Sequence, residues 1–437
     1  MLILMAFLLF FSCISSTGSG FQDEVSQDST ISSESDGQVE SPDGLPQAGL
    51  DPNGLVFLPA EFPSLPMAPG VGIITKEKRD FAASLSEKER NALSESYRAA
   101  YIDSMLQEQP LAGVLGGDMV HGWPEDNPHG WVQNWRSPVQ AANSWGLPSL
   151  VLAVRGVIHS EMGQDRVFVV QGKVLDQYGK SAGVNYANGS VGYGSPRGHE
   201  FVYDGKLAQR FNLGLITVDL QGKSAFIQEE PPSLKIEPPP EVGVFKSNVG
   251  GTVSGSGTLD VGQDIKSAFI GAWKIAIDQG LKAMIPDGLG LYLSFPENSW
   301  VLTGVETLRG LYIQSFNRRS IVLVLPDLLL KTDDSQSPAS QPIEASWPMF
   351  PRLIAAPFIN LLLDPSKFSP PGSENLKPLD IKFSGADDFS RGLMKGLALY
   401  GIPLSDPVVV KKGEGTEAFW QLNQRFSRGW LSGRLHI

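Results

Sequence analysis

The stretch Gly117 to Trp131, GDMVHGWPEDNPHGW, carries the densest set of chemistry-capable side chains in the chain: Asp118, His121, Glu125, Asp126 and His129. Imidazoles among carboxylates are the ligand types of zinc, and carboxylates with carbonyls those of calcium. A helical zinc pair needs two His four residues apart on one face. Here the run is broken by Gly and Pro, and Asp, Asn and His are ordinary turn residues, so a loop is the stronger reading. The sequence therefore implies no metal and no cofactor. Four tryptophans, Trp123, Trp131, Trp135 and Trp145, fall in the same region, interleaved with Asn127, Gln133, Asn134, Arg136 and Asn143. Flat apolar faces beside amide donors suit sugar rings, which stack through C–H and hydrogen-bond through hydroxyls. Trp135 reads as core, where large aromatics dominate the energetics. Trp123 and Trp131 flank a turn rather than sit in a strand. With Asp126, Asn127 and His129 they form a candidate glycan-binding loop, the competing reading being that they too are core.

The remaining reactive types are sparse. His199 and Glu200, in SPRGHEF, are adjacent and read as turn-capping. No Gly-x-Ser-x-Gly elbow occurs, and the Gly255-Ser-Gly257 run does not open a helix directly after a strand, as a phosphate cradle would. The one cysteine, Cys13, ends an apolar N-terminal run, which removes cysteine catalysis and any disulfide. Many carboxylates are present, but nothing selects two of them for glycoside cleavage. No catalytic residue is expected, and a hydrolase is the least favoured class.

The elements that would carry such loops repeat. Copy one has Gly122-Trp-Pro124 and then Gln133-Asn-Trp135. Copy two has Gly194-Ser-Pro196, Gln209-Arg-Phe211 and Gly214; copy three has Phe295-Pro296 and Gln314-Ser-Phe316, with Arg319 at the Gly position; copy four has Gly401-Ile-Pro403, Gln424-Arg-Phe426 and Gly429. A helix precedes each copy. The first opens with a Ser86/Glu89 capping box and carries Leu93, Tyr97, Tyr101 and Met105 at helical spacing. The others fall at VFVVQGKVLDQYG (167–179), DIKSAFIGAWKIAIDQG (264–280) and DDFSRGLMKGLALYG, the last capped by Asp387 or Asp388. Gly stops each helix in the left-handed region and Pro cannot continue it. On a strand, Gln and the aromatic two places on share a face, so the aromatic plugs the core. A semi-buried Gln needs partners for its oxygen and its amide, and the Gly-x-Pro turn supplies them. The segment 143–154, with a further Gly-Leu-Pro, is either the strand end of copy one or a degenerate fifth unit.

This pattern resembles the LGFP repeat of bacterial envelope proteins, over residues from about 85 to 437. The resemblance implies an α+β repeat fold of helix–turn–strand units, closed into a pseudo-symmetric, propeller-like ring of about five units. On that reading residues 71–437 are the repeat domain, with long insertions at about 221–263 and 328–385.

Residues 1–13, MLILMAFLLFFSC, are too short to span a bilayer but suit a signal-peptide core. Their end resembles a lipoprotein cleavage box relaxed in the spirochaetal manner, which implies that Cys13 is lipidated; an ordinary signal cut near Ser16 or Gly18 is the alternative. Residues 14–70 hold nine acidic and no basic residues, so they account for −9 of the net −12. They read as a disordered tether. The rest is close to neutral and lacks the basic footprint of a nucleic-acid partner. The implied protein is lipid-anchored in a bacterial cell envelope and binds cell-wall polysaccharide or peptidoglycan without catalysis. A protein-binding scaffold or adhesin is the alternative.

Overall fold

Each Gln-x-aromatic segment lies on a β-strand of a separate sheet in the computed structural model. The structure describes residues 54–61, 70–74, 86–107, 121–122, 130–135, 150–155, 166–182, 193–194, 196–248, 258–281, 284–295, 306–330, 350–366, 369–381 and 387–435. All belong to one unit, Pro42–Ile437. Along the chain come β1 (Val56–Pro59), α1 (Glu87–Leu106), β2 (His121–Gly122), β3 (Gly130–Trp135), β4 (Leu150–Arg155) and β5 (Val167–Gln171). Next are α2 (Gly172–Ala182), β6 (Phe201–Tyr203), β7 (Lys206–Phe211), β8 (Gly214–Val218), β9 (Ser224–Gln228), β10 (Phe245–Asn248) and β11 (Thr258–Leu259). Then follow α3 (Gly262–Asp278), β12 (Gly290–Ser294), β13 (Glu306–Phe316), β14 (Ile321–Leu330), β15 (Arg352–Ile354) and α4 (Ala356–Leu363). The chain ends with α5 (Asp388–Tyr400), β16 (Val408–Lys412), β17 (Phe419–Phe426) and β18 (Gly429–Arg434).

The fold is α+β. Three four-stranded sheets, ordered β2-β3-β4-β5, β6-β7-β8-β9 and β1-β18-β17-β16, accompany a six-stranded one, β11-β10-β12-β13-β14-β15. Among the described residues only β10 and β12 pair in parallel. The Gln strand is β3, β7, β13 or β17, and each is hydrogen-bonded to the strand that follows it.

The four glutamines are buried pins. Gln133 and Gln314 use both ends of the amide: each accepts from a glycine N–H, Gly72 at 3.3 Å and Gly243 at 2.9 Å, and donates to the carbonyl two residues earlier, Gly70 at 2.6 Å and Glu241 at 2.7 Å. Gln209 and Gln424 instead donate twice. Gln209 Nε2 reaches Val169 O (2.8 Å) and Gly198 O (3.0 Å); Gln424 Nε2 reaches Leu353 O (2.7 Å) and Ser405 O (3.0 Å). Here the expectation of partners at both ends fails, because the Oε1 atoms of Gln209 and Gln424 are buried without a donor. The Pro turn sits beside its pin: Pro196 bridges Phe211 and Pro403 bridges Phe426. Phe211, Phe316 and Phe426 are fully buried, and truncating such a side chain typically costs about 3–5 kcal/mol.

Gly214 and Gly429, opening the strand after the pin, answer to close packing rather than to a turn. A Cβ on Gly214 would meet Ile227 O at 2.2 Å and the Phe226 ring at 2.5 Å, and one on Gly429 would meet Leu58 O and the Phe57 ring at 2.4 Å. Gly401 stops α5 at φ 92° and ψ −178°, a positive-φ extended conformation essentially confined to glycine, its N–H donating to Leu397 O. The expected caps form: Ser86 and Glu89 exchange hydrogen bonds, and Asp387 accepts from Ser390 N–H.

Several expectations are corrected. The tether cannot run unbroken from 14 to 70. β1 pairs with β18, and Phe57 in it is fully buried because the Leu55-Val-Phe-Leu run is apolar enough to pair and pack despite its Pro-rich setting. Val167–Gln171, read as the start of a helix, is strand β5, since Val-Phe-Val-Val is a buried β-branched run. In copy three the proline bridged to Phe316 is Pro286; Pro296 lies outside the described residues, as does Pro124 of copy one. Residues 143–154 are not a fifth unit, for β4 pairs with β3 along its length. The two segments read as insertions are structured where described: β9, β10 and the Val242-Gly243 anchor of Gln314 fall in the first, β15 and α4 in the second. No helix among the described residues is long and apolar enough to cross a membrane.

Candidate functional site

The pins place reactive side chains. The carbonyl that Gln209 holds belongs to Gly198, one residue before His199. The carbonyl that Gln424 holds belongs to Ser405, one residue before Asp406. His199 and Asp406 thereby meet Asp103 from α1, Arg166 from the residue before β5, and Arg352, the first residue of β15. Side-chain exposure of these five runs from 2 to 9 %. Arg166 Nη2 donates to Asp406 Oδ2 at 2.6 Å and Asp103 Oδ2 at 3.3 Å, and lies 3.1 Å from His199 Nε2. Arg352 Nη1 stands 2.7 Å from Asp103 Oδ1, an ionic contact without hydrogen-bond alignment, and 3.8 Å from Asp406 Oδ2. Leu353 N–H donates to Asp406 Oδ1 at 2.8 Å.

Electrostatics follow from these contacts. Burial alone would raise the Asp406 carboxyl, but Arg166 and Arg352 outweigh it and hold the group down at about 2. Burial, and then the Arg166 cation, lower His199 to about 4, so the ring is neutral at pH 7. Arg166 can only donate, so a ring unprotonated at Nε2 can accept from it, while Nε2 also stands 3.5 Å from Asp103 Oδ2 and from Asp406 Oδ2. Burial disfavours the Arg166 cation too, but Asp406 and Asp103 more than compensate and raise it. His199 stands edge-on to Phe168, ring centroids 5.0 Å apart.

A second buried cluster adjoins the first. Arg197 Nε donates to Asp278 Oδ2 at 2.7 Å, Ser233 N–H to Asp278 Oδ1 at 3.0 Å, and Arg210 Nε to Asp278 O at 3.2 Å. Between the clusters lies an apolar cleft of about 70 Å³, walled by Phe201, Leu281, Leu353, Val409 and Leu422 among others, with Glu200 and Gln279 as its polar members. That volume is several times what one water needs. Burial raises the Glu200 carboxyl to about 7, and Gln171, which donates to it, pulls the other way.

The residues singled out in the sequence are largely elsewhere. Trp123, Asp126, Asn127 and His129 lie outside the described residues. Trp131, expected outside a strand, is the second residue of β3, paired with Gly122 of β2 and Val154 of β4. Glu200 is more than the turn cap it was read as, since it faces the cleft. Asp103, Arg166, Arg352 and Asp406 were not foreseen. Among the described residues no group of three or more metal-capable side chains is arranged to hold an ion. In the central cluster the carboxylates are already bound to guanidinium groups. No protein-family model matches the chain, and no curated protein matches it significantly.

Proposed function

We propose that the protein is a lipid-anchored component of a bacterial cell envelope, held through Cys13, whose LGFP-like repeats form a closed pseudo-symmetric ring and bind cell-wall glycan or peptidoglycan without catalysis. The observation that carries the binding site is the pairing of β2 with β3. Gly122 and Trp131 stand opposite one another, so the chain between Gly122 and Gly130 joins two antiparallel neighbours. Trp123, Asp126, Asn127 and His129 fall in the sequence between these two strands, outside the described residues, and Trp131 is in β3, on a sheet pinned by Gln133. Variable connections held by a rigid framework are where binding residues concentrate. The ring reading is supported by the four recurring glutamine pins and by the ion cluster, whose members come from α1, β15 and the turns of copies two and four.

The test is cosedimentation of the full chain with purified cell-wall material. Trp131→Ala should weaken retention by at least ~1 kcal/mol, about fivefold, with little change in melting temperature. A variant that melts like the parent and binds equally well removes the glycan site from this connection and favours the protein-binding scaffold. Intact mass of envelope-extracted protein checks the anchor; an unmodified N-terminus after residue 16 or 18 removes it.

A further inference from the structure

We propose that the cleft between the two ion clusters is a binding site for a small primary amine with a short apolar tail, the ammonium group seated on Glu200 and the tail against Phe201, Leu353, Val409 and Leu422. This site is separate from the glycan connection, and either can fail without the other.

Two independent observations carry it. The first is shape and lining: a cleft of about 70 Å³ whose walls are almost wholly apolar and in which, among the described residues, Glu200 is the one charged lining residue. Pockets of this make-up, apolar with a few convergent polar groups, are the usual small-molecule sites. The second is the polar end of the cleft, where Glu200 and Gln279 are the polar lining residues among those described. An ionised carboxylate offers about four acceptor sites, and Gln171 supplies a donor to it. The Oε1 of that same Gln171 is buried with no donor against it. Gln279, the other polar lining residue, gives an amide N–H to His199 O at 3.2 Å, leaving its carbonyl oxygen as an acceptor. The polar end of the cleft thus presents the Glu200 carboxyl beside the Gln279 amide.

An ammonium group answers this arrangement with three N–H donors and a countercharge. A carboxylate ligand would add acceptors and repulsion; a hydroxyl would bring one donor and no charge. The nearby charges do not substitute for the ligand. Arg166 and Arg352 face Asp103 and Asp406, Arg197 faces Asp278, and His199 is neutral. The Glu200 carboxyl stays partly protonated near neutrality, as expected of an acid in an apolar cleft without a cation. Binding the amine would draw that proton off.

The experiment is calorimetric titration of the full-length protein at pH 8 with n-hexylamine, 1-hexanol and hexanoate. Hexylamine should bind at least tenfold more tightly than hexanol, and hexanoate more weakly than either. In Glu200→Gln the tenfold preference should vanish while hexanol still binds. Equal affinity for amine and alcohol in the unaltered protein, no amine binding at millimolar concentration, or a preference that survives Glu200→Gln would each overturn the proposal. Should that variant fail to fold, the unaltered protein decides at pH 5.5. There protonation of Glu200 should bring the amine at least tenfold closer to the alcohol, and a preference undiminished at that pH overturns the site.

Discussion

Exchanging Glu200 for glutamine should make the protein acid-labile between pH 6.5 and 4.5, a range over which these two neighbours leave the unaltered chain nearly flat. His199 and Glu200 are adjacent and titrate in opposite senses. The folded His199 value of about 4 lies below the ordinary 6.5, so the unfolded chain takes up the proton first. Its contribution is complete above pH 6.5 and is lost as pH falls toward 4. The folded Glu200 value of about 7 lies above the ordinary 4.5, so the native state takes up the proton first. That contribution is complete below pH 4.5 and is lost as pH rises through 7. Each gap, at 1.36 kcal/mol per pH unit, corresponds to about 3 kcal/mol, an upper figure for the partly buried Glu200. Between 4.5 and 6.5 the two slopes are equal and opposite. Removing the Glu200 carboxyl exposes the histidine slope, so Glu200→Gln should lose about 2–3 kcal/mol across that interval relative to the parent. Urea denaturation at pH 4.5, 5.5, 6.5 and 7.5, at constant ionic strength, reads this directly. Other carboxylates contribute alike to both proteins, so the difference between the two profiles is the signal. The reciprocal change, His199→Asn, should tilt the profile the other way and make the protein more stable as pH falls from 7 to 4.5. Parallel profiles for parent and Glu200→Gln would refute the reasoning, whatever the absolute stabilities.

Gln209→Met and Gln424→Met keep the volume of each pin but leave two buried carbonyls unanswered. Each should lower stability by about 2 kcal/mol at unchanged m-value, the loss of two acceptors being partly offset by removal of the orphaned Oε1. An urea midpoint within error of the parent would mean that the pins are not held by these bonds. Arg352→Met should cost about 3–5 kcal/mol at pH 7, because Asp103 loses its nearest cation in a buried setting. Calorimetry at pH 7 reads the loss, and a variant that melts like the parent would remove the charge argument.

What was legible in the sequence was local or periodic. The Ser86/Glu89 cap, the Asp387 cap and the buried aromatic two places beyond Gln209, Gln314 and Gln424 are short-range chemistry, and all three form. The helical reading of 167–179 failed at its first half because a run of β-branched residues has no period to distinguish a buried strand from a helix. The segments read as insertions hid contacts for a related reason. Val242-Gly243 and Arg352 carry no repeat signature, yet one anchors Gln314 and the other completes the ion cluster. Asp103, Arg166, Arg352 and Asp406 come from distant parts of the chain, and no spacing rule connects them. One partial signal existed: an ionisable residue stands three places after the bridged proline in both copies two and four, His199 after Pro196 and Asp406 after Pro403.

That shared position also explains why the two residues differ. The cluster holds two guanidinium groups and two carboxylates, so it is balanced before His199 is counted. In a buried setting a fifth charge of either sign would be uncompensated. A second Asp at the copy-two position would place three carboxylates against two cations, and a protonated His would add a third cation. A neutral imidazole accepting from Arg166 satisfies the guanidinium N–H without changing the charge. The low His199 value follows from burial and the Arg166 cation, which together outweigh the upward pull of Asp103 and Asp406. The two copies are alike in backbone, through Gln209 and Gln424, and unlike in charge. Framework and cluster constrain each other: the pins fix where the two turns arrive, and the balance of charge fixes which side chains can follow them.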